Sequence, residues 1–499
     1  MSESGTLTYR HYLPYLALLL IFGAGIWLLL IAGSRLHSER PVRPSSAYSS
    51  ASASPTPSPQ SEKQITYAGK IFRGNLRNSL SILLLQLVVI IVSARLIGKL
   101  FQKIGQPPVL GEIVAGIVLG PSLLGLISPN TMAFLFPASS METLKLLSQI
   151  GVALFMFVVG MELDVGELRQ KARTAVMVSH ASIVVPFFLG VAVALWLYRS
   201  LAPEKTSFIA FALFMGIAMS ITAFPVLARI LSDRGMSQTA LGSIALTCAA
   251  VDDVTAWCVL ALVIAVAQSG GVAASLLTIT LALSFICVML FIIKPQLARL
   301  LSARSNPTKH SRGLVAGVLA FVFACALLTE AIGIHALFGA FLAGVVLPST
   351  GGVRAMLKEK LETFSAVALL PLFFAFTGLR MQIGLLNDSE SWLVCAAIVT
   401  IAIAGKLGAS MLMARWTGMN WRDSFALGVL MNTRGLVELI VLNIGYDLGI
   451  LSARTFAMLV LMALITTFMT GPLLALVRNG GQREAVGPTG SPALPPDAR

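Results

Sequence analysis

The sequence predicts an all-α polytopic membrane protein. Of its 499 residues, 56% are hydrophobic and only 12% are charged, and the mean hydropathy is +0.85. That charged fraction is about half of what a soluble domain carries. Apolar segments of about 20 residues, each long enough to cross a bilayer, recur from Leu13 to Val477. These observations predict about 13 core transmembrane helices and one extra N-terminal span.

The N-terminal part divides into an apolar segment and a linker. Residues 1–35 contain a span near 13–32, which we expect to be an uncleaved signal anchor. A signal peptide is the alternative, because Ala32 and Gly33 lie near its end, but its apolar stretch exceeds the usual signal core of about 7–15 residues. Residues 36–76 are rich in Ser and Pro and predict a linker without a core.

Residues 77–478 are predicted to form one transmembrane domain. Its spans lie near 80–99, 107–127, 144–162, 173–197, 206–231, 239–267, 273–293, 312–332, 334–349, 362–381, 391–414, 423–447 and 454–477. Residues 479–499 consist mainly of Gly, Pro and polar types, which predict a disordered tail.

The net charge of +14 is distributed between the spans. Lys and Arg alternate between rich and poor loops, and the rich side is expected to be cytoplasmic, which places the C-terminus in the cytoplasm. Lys70, Arg73 and Arg77 disagree with this placement. Because the basic residues punctuate spans instead of forming one patch, we expect no nucleic-acid partner.

Two pairs of similar segments indicate an internal repeat. FMFVVGMELDVGEL (155–168) resembles FFAFTGLRMQIGLL (373–386), and GEIVAGIVLGPS (111–122) resembles FGAFLAGVVLPS (338–349). The loop charges place 144–162 and 362–381 in opposite directions, so the repeats are inverted, as in transporters that work by alternating access. Chance similarity between helices rich in Gly, Ala and Phe is the alternative.

Two helices are expected to be broken near mid-membrane. Pro225 lies within MSITAFPVLARIL (219–231), where it removes a helical hydrogen bond, although an ordinary kink is the alternative. MNTRGLVELIVLNIG (431–445) has polar residues at 432–434 and a glycine at 435, where lipid-facing residues would be apolar. Unwound backbone at this depth is tolerated only where it is buried or lines a cavity.

Asp252 and Asp253 stand side by side inside an apolar span, TCAAVDDVTAWCVLALVIAV (247–266). A charge at bilayer depth costs at least about 2.5–3.5 kcal/mol. Adjacent helical positions point about 100° apart, so both carboxylates cannot face one cavity. Lys406 lies mid-span in the other repeat and is the expected neutralising partner. The second carboxylate could then exchange a proton for a monovalent cation, whereas a purely structural ion pair is the alternative for Asp252 and Lys406.

Further candidates are less specific. Thr222 offers a hydroxyl beside Pro225, either as a cation ligand or bonded back to its own helix. His335 is either a pH sensor or a packed interhelical histidine. Glu112 lies near the start of a span, where a snorkelling or structural role competes with transport.

Two arginines complete the candidate residues. Arg434 and Glu438 are four positions apart on one helix, a spacing that allows them to pair. Arg380 lies near a membrane edge; it is a possible supporting residue of the site, and a position that only marks the interface is the alternative.

No enzyme or cofactor is expected. The sequence has no strand followed by G-x-G-x-x-G, no phosphate-binding G-x-x-x-x-G-K, no H-E-x-x-H and no G-x-S-x-G. The five cysteines lie within apolar spans without close paired spacing, which indicates packing residues instead of disulfides or a metal site.

Six ordered motifs resemble a known family. They are QPPVLGEIVAGIVLGPSLLG, SITAFPVLARIL, DDVTAW, IGIHALFGAFLAGVVLP, LPLFFAFTGLR and MNTRGLVELIVLNIG. Together they are similar to the monovalent cation:proton antiporter-2 family, above all its plant-type cation/proton exchanger branch and bacterial relatives. The similarity covers about 80–477. It implies thirteen helices in a core and a dimerisation domain, two crossed unwound helices and elevator-like alternating access.

The resemblance also implies residue roles. Asp253 corresponds to the ion- and proton-binding carboxylate, Asp252 to the position before it, Lys406 to the membrane-embedded lysine and Thr222 to the threonine of the crossing helices. It implies a homodimer in a bacterial inner membrane that exchanges K⁺ or Na⁺ for protons. A channel-like cation path, or a non-transporting sensor or scaffold with the same fold, is the alternative, although a scaffold gains nothing from costly buried charges.

Overall fold

The computed structural model describes residues 6–34, 36, 78–162, 172–237, 239–268, 272–302, 311–348 and 353–485. These residues form helices joined by short turns, and no strand occurs among them. The predicted linker therefore lies almost entirely outside the described residues, as do residues 163–168 of the segment 155–168.

The described residues form twenty α-helices, numbered in chain order. They are α1 (Thr6–Gly33), α2 (Ser79–Lys103), α3 (Pro108–Leu119), α4 (Leu124–Ile127), α5 (Pro129–Leu135), α6 (Ala138–Glu162), α7 (Ala172–Leu201), α8 (Phe208–Ser220), α9 (Phe224–Asp233), α10 (Ala240–Gln268), α11 (Val272–Cys287), α12 (Lys294–Ser302), α13 (Ser311–Ile332), α14 (Ala336–Val346), α15 (Val353–Phe364), α16 (Leu370–Arg380), α17 (Ser389–Trp416), α18 (Trp421–Met431), α19 (Leu436–Asp447) and α20 (Ala453–Ala485). Short π-helical segments connect α11 to α12 and α15 to α16.

The protein is a multi-pass integral membrane protein. Within the described ranges, 12 helical segments are long and apolar enough to cross a bilayer, and α18 with α19, bent by 41°, makes a thirteenth. The predicted span 334–349 is the exception: it is the 11-residue helix α14. Eleven residues rise only about 16 Å, roughly half of the hydrocarbon thickness, so α14 cannot cross alone.

The C-terminal boundary also differs from the expectation. Helix α20 continues to Ala485, so residues 479–485 are helical and the tail predicted from 479 is wrong for these residues. Residues 486–499 lie outside the part of the chain that is described.

The helices pack as two bundles. The core bundle contains α7, α8, α9, α10, α17, α18, α19 and α20, and the flanking bundle contains α2, α3, α6, α13, α14, α15 and α16. The N-terminal helix α1 packs against α7 and α8 of the core bundle. The Tyr15 hydroxyl lies 2.8 Å from His180 Nδ1, and the rings of Phe22 and Phe188 meet edge to face.

The repeated segments mark equivalent helix contacts in the flanking bundle. A Cβ added to Gly116 of α3 would lie 2.1 Å from the Ala375 carbonyl oxygen of α16, and one added to Gly344 of α14 would lie 2.2 Å from the Phe157 oxygen of α6. Each glycine follows an alanine within its segment, Gly116 after Ala115 and Gly344 after Ala343. The inverted repeat thus pairs α3 with α16 and α14 with α6 through glycines that allow close backbone approach.

Candidate functional site

The first predicted break separates α8 from α9. Residues Ile221 and Ala223 have extended backbone, with ψ of 139° and 97°. Pro225 lies in the first turn of α9, where the missing N–H removes no helical hydrogen bond. The break therefore precedes Pro225, which begins the second half-helix and does not kink a continuous one.

The second break separates α18 from α19. The backbone N–H of Arg434 donates to Thr467 Oγ1 at 2.9 Å, and the same hydroxyl lies 2.7 Å from the Arg434 carbonyl oxygen. Thr467, from α20, thus satisfies backbone groups that the break removes from a helical ladder. A Cβ on Gly435 would lie 2.6 Å from Val226 Cγ2, so the close approach of α9 requires glycine there.

The two breaks cross and bond to each other. The Ala223 N–H donates to the Thr433 carbonyl oxygen at 3.0 Å, and Thr222 Oγ1 lies 2.9 Å from the Met431 carbonyl oxygen. The C-terminal ends of α8 and α18 and the N-terminal ends of α9 and α19 therefore meet inside the core bundle. The partial charges of these helix ends are available to charged groups at the crossing.

Asp252 and Lys406 form a buried ion pair beside the crossing. Lys406 Nζ lies 2.9 Å from Asp252 Oδ2, and both side chains are 0% exposed. Asp252 also accepts from Ser179 at 2.5 Å, Thr222 at 2.6 Å and Ser182 at 2.9 Å. The expected pair is present, and three hydroxyl groups satisfy the remaining lone pairs of the carboxylate, as a buried charge requires.

Two basic side chains, Lys406 and Arg434, bind the C-terminal end of α8. Lys406 donates to the Ser220 carbonyl oxygen, and the Arg434 guanidinium donates to the Ala218 and Met219 carbonyl oxygens at 2.7 Å each. These carbonyls have no partner within the helix, and positive charge is favourable at this end. The predicted pair also forms, since Arg434 NH1 and Glu438 Oε1 are 3.2 Å apart.

Asp253 has a different environment. Its side chain is 1% exposed, and neither carboxylate oxygen accepts a hydrogen bond from the residues that the structure describes. The backbone N–H of Phe224, in the first turn of α9, interacts electrostatically with this carboxylate but lies outside hydrogen-bond geometry. A buried carboxylate in this state is costly unless it binds a proton or a cation.

A cavity of about 360 Å³ lies between the two bundles and is partly lined by Pro225, Val226 and Leu436. These residues begin α9 and α19, whereas neither acidic side chain of α10 lines the cavity. Glu112, 7% exposed, lies on the flanking-bundle wall, so the structure separates it from the Asp252 pair. A second cavity of about 410 Å³ shares Arg229 with the first.

Arg380 and His335 lie at the other end of the gap between the bundles. Arg380 donates to Asn443 Oδ1 at 2.8 Å and forms an ion pair with Asp447, so it has specific partners in α19 beyond a position at the interface. His335 precedes α14, and its Nδ1 lies 3.4 Å from the Leu337 backbone N. Neither residue contacts the Asp252 pair.

Comparisons with known proteins agree on one family. The sequence model described as "Sodium/hydrogen exchanger, transmembrane" matches residues 78–478. The Na(+)/H(+) antiporter NhaS4 of Synechocystis is 46% identical over 401 residues, which cover 80% of this chain and 98% of the relative. The K(+)/H(+) antiporter 1 of Saccharomyces cerevisiae is 33% identical over 423 residues, covering 83% of this chain and 48% of the relative.

The plant relatives are longer proteins. Cation/H(+) antiporter 17 of Arabidopsis thaliana is 39% identical over 416 residues, which cover 83% of this chain and 50% of the relative. The chain thus spans nearly all of the Synechocystis relative and about half of the Arabidopsis and Saccharomyces relatives. Among solved structures, the sodium proton antiporter MjNhaP1 of Methanocaldococcus jannaschii matches in fold, with a TM-score of 0.57 and 17% identity over 81% of this chain and 98% of that one.

Proposed function

Because the chain belongs to the sodium/hydrogen exchanger family, we propose that it exchanges a monovalent cation, Na⁺ or K⁺, for protons by alternating access. The family is one of transporters and not of catalytic enzymes. The observation that carries the proposal is Asp253: a buried carboxylate without a hydrogen-bond partner among the described residues, next to one that is fully paired.

Asp253 can bind a proton or a cation, and the two compete for the same carboxylate. In either loaded form the carboxylate is neutralised, and the core bundle can carry it through the membrane at low cost. The empty form carries a bare charge, which is costly at bilayer depth. Crossing is therefore favoured only when a proton or a cation is bound, and this requirement couples movement of the cation to opposite movement of the proton.

Asp252 and Lys406 supply the constant part of the site. Their charges cancel, so Asp253 is left as the charge that changes between proton and cation. The pair also joins α10 to α17, and Ser179 and Ser182 join both helices to α7. Beside the pair, the Thr222 hydroxyl at the α8–α9 break is the candidate for a further cation ligand.

The two bundles provide the alternating access. The cavity of about 360 Å³ between them reaches the helix starts that follow both breaks. We propose that the core bundle slides against the flanking bundle, that the cavity opens to the cytoplasm and that the protein is a homodimer in a bacterial inner membrane. The contacts of Tyr15 and Phe22 with α7 support a retained N-terminal anchor.

The test is cation-dependent proton flux in proteoliposomes, with Na⁺, K⁺ and Li⁺ compared. Asp253→Asn should reduce exchange to background while the protein stays folded. Asp388→Asn is the matched control, because this exposed carboxylate pairs with Arg454 near the start of α20 and not with the site. If Asp253→Asn still exchanges cations for protons at a near wild-type rate, Asp253 is not the residue that carries the proton and the cation. Cation flux without opposite proton movement would replace the exchanger by a channel.

A further inference from the structure

The two ends of the gap between the bundles differ in openness. At the end formed by Leu370 of α16 and Leu436 of α19, the cavity measures about 360 Å³. At the other end of the same helices, near Arg380 and Asp447, a small cavity measures about 20 Å³. Leu436 and Asp447 are eleven positions apart on one helix, about 16 Å along its axis. The gap is thus wide at one end of α19 and nearly closed at the other.

Ion pairs and hydrogen bonds bridge the narrow end. Lys145 Nζ of α6 lies 2.9 Å from Asp447 Oδ2, and Arg380 of α16 pairs with the other oxygen. Asn443, one turn before Asp447, accepts from Arg380 at 2.8 Å and donates to Thr377 Oγ1 at 2.8 Å. Lys145, Arg380 and Thr377 belong to the flanking bundle, whereas Asn443 and Asp447 belong to the core bundle, so each of these contacts crosses between the two.

The arginine at the centre is held in a fixed position. Its guanidinium carbon lies 4.5 Å from the Tyr446 ring centroid and 5.3 Å from that of Phe376, and its side chain is 14% exposed. Ring contacts restrict the side chain and exclude water, which makes its ion pair stronger than an exposed one. Because α19 runs as one continuous helix from the break at Gly435 to Asp447, a restraint at Asp447 also acts on the crossing.

We propose that Lys145, Arg380, Asn443 and Asp447 form a latch that closes the external end of the ion path. The loop charges place this end outside, so the inference rests on the proposed function and orientation. The latch must open for the site to face outward. Asp447 is therefore a positioning residue: it does not bind the transported ion in the closed state, but it sets how often the site is open to the outside.

The test measures water access to the narrow end directly. Ser148 lines the small cavity and is 1% exposed, so Ser148→Cys, in a background without the five native cysteines, is a reporter that is hidden when the latch is closed. A membrane-impermeant maleimide is applied to vesicles of either orientation. Asp447→Asn should raise the labelling rate from the outside about fivefold, which corresponds to about 1 kcal/mol.

Two further variants make the result specific. Lys145→Gln removes one of the two basic side chains that pair with Asp447. It should also raise the labelling rate from the outside, by a smaller factor than Asp447→Asn. Asp388→Asn is the matched control, since its pair with Arg454 lies entirely within the core bundle. The latch proposal is refuted if Asp447→Asn leaves the labelling rate of Ser148→Cys unchanged, or if Asp388→Asn raises that rate equally. Labelling requires no transport. If the labelling rate rises as expected but the flux assay shows no exchange, the proposed function is refuted and the latch is not.

Discussion

Lys406→Met removes the ammonium that neutralises Asp252 inside the core bundle. Lys406 lies 2.9 Å from this carboxylate and also donates to the Ser182 and Ser220 carbonyl oxygens. Breaking a buried pair from one side costs about 3–5 kcal/mol when the orphaned charge stays buried. The hydroxyl groups of Ser179, Ser182 and Thr222 still hold the carboxylate, so we expect a loss near the lower end, about 3 kcal/mol.

Adding Asp252→Asn to Lys406→Met should recover part of the stability, because neither charge is then left unpaired. Recovery stays incomplete, because the Ser220 carbonyl oxygen at the end of α8 still lacks the Lys406 donor. An orphaned buried acceptor costs about 1–3 kcal/mol. We predict a coupling energy of about 1 kcal/mol or more, within the usual range for contacting residues.

Thermal unfolding of the wild type, both single variants and the double variant in detergent measures this coupling. At about 2.1 cal/mol/K per residue, a domain of about 400 residues unfolds with about 0.8 kcal/mol/K. Lys406→Met should therefore lower the Tm by about 4 °C, and the double variant should deviate from additivity by about 1 °C or more. Lys406→Met combined with the distant Asp388→Asn is the control and should be additive. Additivity in the Asp252 cycle as well would mean that the pair does not couple.

Three further outcomes are expected. Gly116→Ala should cost about 1–3 kcal/mol in detergent melts, because its Cβ would meet the Ala375 oxygen at 2.1 Å. Gly317→Ala, within α13 and with no neighbour within 4 Å, should be neutral to slightly stabilising, and equal effects of the two changes would refute the close contact. A hydrogen bond from Ser391, together with a nearby arginine, lowers the pKa of Asp388, so its stabilisation is present above the unfolded pKa of about 3.9 and is lost as pH falls through the lower folded value. The destabilisation by Ser391→Ala should accordingly be seen in melts at pH 6 and shrink below about pH 4; an effect that is constant with pH would contradict it. A C-terminal reporter that is active only outside the inner membrane should be inactive, and activity would overturn the proposed orientation.

The spans and the ion pair were predictable because a bilayer leaves few alternatives. Long apolar segments must be helices, and the few ionisable residues inside them need partners, which leads from Asp252 to Lys406. The segment 334–349 was counted by its apolar length alone. Gly333, with a φ of 90°, precedes this segment, and Pro348 lies near its end, so these two residues could have indicated a shorter helix.

The two serine hydroxyl groups that bond to Asp252, those of Ser179 and Ser182, were missed. Serines within membrane helices usually bond to their own backbone, and Ser182 also lies 2.8 Å from the Ser179 carbonyl oxygen, so neither draws attention in a sequence. Their three-residue spacing, which places both on one helix face, was the available signal. The binding of Arg434 to α8 depends on how two distant breaks cross, and no local pattern encodes that geometry.

The closed pair of Lys406 and Asp252 has a consequence for the response to membrane voltage. If the pair stays closed throughout the cycle, one proton leaves for each cation that enters Asp253, and the exchange moves no net charge. If the pair opens and Asp252 also takes up a proton, the cycle becomes electrogenic. Each unit of charge moved across 100 mV is then driven by about 2.3 kcal/mol. A transport rate that responds to an imposed potential would therefore report that Lys406 releases Asp252 during transport.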